Sequence, residues 1–196
     1  MILSLLLSLA GAAQDTTEFT SKPGRAGRYS LVAYFNAGGS YYSANRGAPA
    51  YLQPSLRRVN PLATVRVLWH PDRQLKAGLE SGFMTFYSYG LKDSLGKKGR
   101  VSLDAVPVLL VWSMSVTDHL NIFAGSGAYF LTTHLDYEGK SKASRLAMGW
   151  MAAASYIWPL GKNAGLGTEF KWMYASGTSS GVLALQVQYV WKFAHW

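Results

Sequence analysis

The sequence contains no cysteine. A disulfide framework, a thiolate nucleophile and a zinc site built on cysteine are therefore excluded. Long hydrophobic runs are also lacking, because no stretch approaches the roughly 18 consecutive apolar residues that a transmembrane helix needs. If the chain crosses a membrane, it must therefore do so as a β-barrel. Acidic residues are few, 10 against 19 Lys and Arg, which gives a formal net charge of +9.

Much of the positive charge lies in segments that separate the apolar runs. A nucleic-acid-binding protein would carry a basic helix or a basic stripe with interleaved aromatic residues, whereas here the aromatic residues lie on predicted strands. We therefore expect solvated loop charge and no nucleic-acid partner, with contact to lipopolysaccharide phosphates at the cell surface as the sharper alternative. The basic residues of these segments are Arg46, Arg57, Arg58, Lys92, Lys97, Lys98, Arg100, Lys140, Lys142 and Arg145.

The first thirteen residues are typical of a signal peptide. They combine a short apolar core with a small-residue end, so cleavage is expected after Ala12 or Ala13. A membrane anchor is the competing interpretation, and this run is too short for it. Residues 14–27 follow as a polar lead-in, and residues 28–193 form the predicted barrel domain.

The barrel domain divides into eight amphipathic runs of about ten residues or more, the length that crosses a bilayer as a tilted strand. The runs are Tyr29–Tyr42, Leu62–Trp69, Leu75–Tyr89, Val101–Met114, Leu120–Thr132, Leu146–Trp158, Gly165–Ala175 and Val182–Phe193.

The connections between these runs alternate in length. The short ones are rich in turn residues: His70–Gln74, Ser115–His119 and Pro159–Asn163. The others are mostly longer: Ser43–Pro61, Gly90–Arg100, Thr133–Arg145 and Ser176–Gly181. This layout predicts an all-β fold, a closed eight-stranded antiparallel transmembrane β-barrel with short periplasmic turns and longer extracellular loops.

Each run separates an apolar face from a face that carries glycine or polar residues. In the closing run Val187 and Tyr189 share one face, and Gln186 and Lys192 share the other. Opposite charges inside a narrow barrel must pair, so we predict a structural ion-pair network that plugs the interior, with a narrow channel for small hydrophobic or ionic solutes as the alternative. The predicted members of this network are Arg66, Lys76, Glu80, Glu169, Lys171 and Lys192.

The fourth run is an exception to this division. It is apolar on both faces and contains Pro107, which cannot donate to a strand ladder. The face that holds Asp104 is therefore left open.

Aromatic residues form two belts at two heights, as rings that favour a lipid–water interface do. The belt at the turn end comprises Trp69, Trp112, Trp158, Trp191 and Phe193. The belt at the loop end comprises Tyr41, Tyr42, Phe86, Tyr87, Phe130 and Tyr174. A soluble lipocalin-like barrel would also show alternating faces, but it leaves the two belts unexplained.

Catalytic chemistry has one candidate location, the predicted loop that carries His134, Asp136, Glu138, Ser141 and Ser144. A nucleophilic site needs Ser and His in hydrogen-bond reach and a third group to orient the base. No familiar motif surrounds these residues, so we assign no catalytic, cofactor-binding or metal-binding residue. A lipid A-modifying enzyme is kept as the less favoured alternative.

The chain resembles the small outer-membrane barrels of the OmpA/OmpX/OmpW kind. This resemblance is carried by the short turns, the long loops, the glycine-lined polar faces and the aromatic closing strand. The stretch Leu75–Tyr89, with the segment Ala105–Leu110, is similar to barrels common in the Bacteroidota. The resemblance implies residence in the bacterial outer membrane, contact with its lipid and lipopolysaccharide, insertion by the barrel-assembly machinery, and a structural or interaction role with a protein partner in the envelope. The closing signal is either Phe193 or Trp196.

Overall fold

A computed structural model of the chain describes residues 29–43, 56–71, 75–92, 98–136, 140–176, 178 and 181–195. The described residues form strands β1 (Ser30–Tyr42), β2 (Leu56–Arg57), β3 (Val59–His70), β4 (Leu75–Lys92), β5 (Lys98–Ser115), β6 (Leu120–Asp136), β7 (Lys140–Pro159), β8 (Ala164–Ala175) and β9 (Val182–His195). Among them there is no helix long and apolar enough to cross a membrane. The signal peptide 1–13 and the lead-in 14–27 lie outside the described residues and stay predictions.

The sheet closes on itself. Every pair of neighbouring strands is antiparallel, and β9 returns to β1 with Tyr41 opposite Leu183. The ring contains eight strands, while the two-residue β2 adds to the edge of β4 with Leu56 opposite Tyr89. The predicted closed, eight-stranded antiparallel barrel is confirmed.

The alternation of side chains sets the two surfaces of the wall. On β9, Gln186 and Gln188 are buried inside, whereas Leu185 is 65% exposed on the outside. On β8, Glu169 and Lys171 point inward and Phe170 outward. Apolar exposure on this scale is stable only against lipid, because a water-soluble chain rarely leaves so large a continuous apolar surface.

Two of the predicted long loops are largely strand. β4 continues to Lys92 and β5 begins at Lys98, while β6 continues to Asp136 and β7 begins at Lys140. The prediction that Gly90–Arg100 and Thr133–Arg145 are loops is therefore wrong over most of their length. Once these strands leave the apolar layer, both of their faces meet polar surroundings, so the alternation that marks a strand in the sequence disappears.

Part of the aromatic belt predicted at the loop end lies inside the barrel, and a β-bulge in β4 contributes to this. The register against β5 shifts between Thr85 and Tyr87, so the alternation of faces is broken there. Phe86 is fully buried and its ring packs edge-on against the buried Tyr42, and Tyr87 packs against Tyr42 as well. These three residues line the inside of the barrel, while Tyr41 and Phe130 are exposed on the outside as predicted.

Several inward-facing glycines lie where neighbouring strands approach closely. A Cβ on Gly38 would collide with the carbonyl oxygen of Leu185 and would lie 2.7 Å from the Cα of Gln186. The space beside Gly38 is therefore taken by the backbone of β9. At Gly149 an added Cβ would collide with the carbonyl oxygen of Tyr174 and would also lie 2.6 Å from the Cε2 atom of the Tyr129 ring.

Replacing Gly38 by alanine is expected to lower the free energy of unfolding by about 1–3 kcal/mol, because the backbone of β9 must shift to admit the methyl group. Urea unfolding of the barrel in phosphatidylcholine vesicles, followed by tryptophan fluorescence, measures the change. Gly39→Ala is the matched control, since a Cβ on Gly39 meets nothing within 4 Å. Equal losses in the two variants would contradict the close approach of β1 and β9.

Candidate functional site

Four charged side chains meet at the centre of the barrel and form an ion quartet: Arg66, Glu80, Glu169 and Lys171. Arg66 Nε donates to Glu80 Oε2 at 2.6 Å, and its Nη1 donates to Glu169 Oε2 at 2.7 Å. Lys171 Nζ pairs with Glu80 Oε1 and lies 2.9 Å from Glu169 Oε1. All four side chains are fully buried. Two cations and two carboxylates make the quartet formally neutral.

Neutral polar side chains complete the hydrogen bonding of the quartet. Gln188 Nε2 donates to Glu169 Oε2 at 3.1 Å, and the Gln188 amide oxygen accepts from Ser155 Oγ at 2.6 Å. Lys171 Nζ also donates to Thr64 Oγ1 at 3.3 Å. A buried charge whose hydrogen bonds are incomplete is costly, so these neutral side chains lower the cost of burying the quartet.

Aromatic and aliphatic side chains enclose the quartet. The Arg66 guanidinium carbon lies 4.0 Å from the centroid of the Phe123 ring and 5.8 Å from that of Tyr34, in cation–π geometry. Apolar residues flank the quartet on both sides. The buried Leu62, Met84 and Met173 lie toward the loop end, and the buried Leu68 and the partly buried Val190 lie toward the turn end. The plug is therefore a thin charged layer between two mostly apolar layers.

Two of the six residues predicted for the network lie apart from the quartet, near the turn end. Lys76 Nζ donates to Ser115 Oγ at 2.6 Å. Lys192 lies on the inner wall near that same end, where both lysines line a cavity of about 240 Å³ together with His70. The structure thus divides the predicted network into a neutral centre and a basic mouth.

The five residues of the predicted girdle all lie on the outer surface of the barrel near the turn end. Each is between 38% and 48% exposed: Trp69, Trp112, Trp158, Trp191 and Phe193. Four of them contact a neighbouring aromatic ring: Tyr29 stacks on Trp69, Tyr156 packs edge-on against Trp158, and Trp191 and Phe193 pack against each other. Trp196 lies outside the described residues.

The structure places Asp104 on the outer face of β5, in line with Val106 and Val108. Its Oδ1 accepts from Thr85 Oγ1 at 2.7 Å, and its Oδ2 lies 3.0 Å from His134 Nδ1. The sequence missed this pair because Asp104 lies in a run that is apolar on both faces. The outward parity of Val106 and Val108 could have indicated it once the register was known.

The residues of the candidate catalytic loop do not assemble around His134. His134 pairs with Asp104, while Ser144 Oγ lies 3.4 Å from Thr132 Oγ1, and Glu138 lies outside the described residues. His134 therefore has an orienting carboxylate, but no serine of the described chain is recorded as its hydrogen-bond partner. Within the described ranges there is also no group of three or more His, Asp or Glu side chains that could hold a metal ion.

Comparison with known proteins bears on the fold. The attachment invasion locus protein Ail of Yersinia pestis is 10% identical to this chain; the match covers 85% of this chain and 99% of Ail, with a TM-score of 0.50. The fold is that of a small outer-membrane β-barrel. Neisserial surface protein A is 12% identical, with 86% of this chain and 100% of that chain covered and a TM-score of 0.48.

The N-terminal β-barrel domain of Pseudomonas aeruginosa OprF is 8% identical, with 84% of this chain and 98% of that chain covered and a TM-score of 0.45. No family model and no curated protein matches the chain. At identities this low the likeness concerns architecture, so a function for this outer-membrane barrel has to be argued from its own residues.

Removing one carboxylate of the quartet is expected to destabilise the barrel strongly. Glu169→Gln leaves Arg66 and Lys171 with a single carboxylate, and an uncompensated buried charge costs about 3–5 kcal/mol. The measurement is the urea midpoint in phosphatidylcholine vesicles, combined with heat-modifiable gel migration to confirm folding.

The double variant Glu169→Gln/Lys171→Met separates charge balance from loss of a contact. It restores neutrality by leaving the Arg66–Glu80 pair, so it should be more stable than Glu169→Gln alone. If the double variant loses as much stability as the single variants Glu169→Gln and Lys171→Met lose together, the charge-balanced quartet is contradicted.

Proposed function

We propose that this chain is an integral protein of the bacterial outer membrane whose barrel is sealed and whose role is contact at the cell surface. The observation that carries the proposal is the closed interior. Arg66, Glu169 and Lys171 are fully buried at the centre, and the buried residues on both sides of them are mostly apolar. Eight strands leave an interior only wide enough for side chains, so a role outside the lumen is favoured over transport.

At the loop end, part of the sheet projects beyond the rest of the barrel, and we call this part the projecting sheet. We define it as the segments Tyr87–Lys92, Lys98–Asp104, Thr132–Asp136 and Lys140–Arg145 of β4 to β7. The β6–β7 ladder extends to Asp136 opposite Lys140, whereas pairing of β7 with β8 begins only at Gly149. One side of the barrel therefore extends beyond the strands of the other side.

The projecting sheet offers a free edge with basic side chains. Residues Lys140–Ser144 of β7 are all exposed, and among the described strands they pair with β6 alone. Such an edge can accept an extended segment of a partner, which gains main-chain hydrogen bonds. Lys140 and Lys142 lie on the outer face beside it, so an acidic partner is favoured.

Planar-bilayer recording tests the sealed barrel. We expect the refolded protein to give no steady current at low voltage, because the quartet and its apolar layers leave no aqueous path. A steady open current at low voltage would overturn the sealed barrel and favour the narrow channel.

Binding to immobilised heparin, used as a polyanionic probe, tests the contact role. We expect the protein in phosphatidylcholine nanodiscs to be retained, and Lys140→Glu/Lys142→Glu to elute at clearly lower salt, because the charge of the projecting sheet is reversed. Lys162→Glu is the control, since Lys162 lies in the turn between β7 and β8 at the opposite end, beside a cavity of about 240 Å³ that is too small to admit heparin. Equal losses in the two variants would contradict a contact surface on the projecting sheet.

A further inference from the structure

The turn end of the barrel contains a basic cavity whose charges the quartet does not use. Lys76 and Lys192 reach it from the inner wall, and Lys162 reaches it from the turn between β7 and β8. Asp118, in the turn between β5 and β6, is the carboxylate among its lining residues. Three ammonium groups therefore face one carboxylate, whereas the quartet balances two against two.

The described ion pairs leave this excess positive charge uncompensated. None of them joins Asp118 to a lysine of the cavity, and none joins Lys76 or Lys192 to any carboxylate. The hydrogen bond that Lys76 makes is to a neutral group, the Ser115 hydroxyl. A lysine held on an inner wall without a carboxylate attracts anions into the concavity.

Neutral donors line the same cavity. Ser115 Oγ donates to the Asn121 amide oxygen at 2.7 Å, and this bond fixes the hydroxyl that accepts from Lys76. On the opposite wall, His70 Nε2 lies 3.3 Å from the Tyr34 hydroxyl. Asn121 also lines the cavity and its side chain carries an NH₂ group, so an oxyanion bound there could meet ammonium and amide donors together.

The height of the cavity limits where the anion comes from. Its lining residues adjoin the aromatic girdle in sequence: His70 follows Trp69, Pro159 follows Trp158 and Lys192 follows Trp191. Aromatic rings of this kind mark the level of lipid headgroups. The cavity therefore opens at headgroup level, where a phosphate can belong to a phospholipid or to a small molecule in solution.

We propose that the turn-side mouth of the barrel is a binding site for a phosphate group, held by Lys76, Lys192 and Lys162 with the Asn121 amide as neutral donor. The cavity, at about 240 Å³, is large enough for a phosphate with a small organic substituent and too small for a large polymer. The site is independent of the contact role of the projecting sheet, because the two lie at opposite ends of the barrel.

The test is an NMR titration of the isotope-labelled protein. In dodecyl maltoside micelles, which contain no phosphate, inorganic phosphate is added against chloride at equal ionic strength, and the backbone amides of residues 70, 75, 76 and 160 to 164 are followed. We expect saturable shifts confined to this end, and an apparent Kd at least about tenfold weaker in Lys76→Gln/Lys192→Gln, because two charge-assisted bonds are lost.

Control variants verify the site, and an experiment with added lipid identifies the source of the phosphate. Lys140→Gln/Lys142→Gln should leave the titration unchanged, and heat-modifiable migration verifies that both double variants are folded. In maltoside micelles to which phosphatidylglycerol has been added, a lipid-bound site shows the same shifts before inorganic phosphate is added. If those shifts are absent, the site takes its phosphate from solution. No saturable response in either arm, or an unchanged response in Lys76→Gln/Lys192→Gln, would overturn the site.

Discussion

The ladder between β1 and β9 closes the sheet, and the remaining features depend on that closure. Within the hydrocarbon layer of a membrane, no water is present to satisfy free N–H and C=O groups, so an open sheet edge cannot persist there. Closing eight strands into a ring removes the edges but leaves little interior space. Inward side chains from opposite walls then come within bonding distance, as Arg66 of β3 and Glu169 of β8 do at 2.7 Å.

Burial of four charges in such a space is tolerable because the set is neutral and its hydrogen bonds are shared. Each carboxylate of the quartet binds both cations, and Gln188 supplies a further donor to Glu169. Ion pairs of this kind add less stability than their number suggests, since desolvation offsets much of the attraction. Their clearer consequence is register, because an alternative pairing of strands would leave a charge alone.

The two ends of the barrel are built differently. At the turn end, the connections between strands are short, and lysines line one cavity. At the loop end, β4 to β7 continue as paired strands beyond their neighbours and leave an exposed edge on β7. The buried quartet lies between the two ends, and we propose that it seals the interior so that each end meets its own partners.

The sequence by itself determined the closed eight-stranded barrel and its two surfaces, because alternation with a period of two and the spacing of turn residues are local properties of the chain. It did not determine the length of β6 and β7, since alternation is lost where both faces meet polar surroundings. Nor could it place Phe86 inside, because one extra residue in β4 reverses the parity beyond it. Only the tertiary structure decided which inward charges meet: Arg66 and Glu169 are 103 residues apart, and closure of the ring brings them together while leaving Lys76 and Lys192 at the mouth.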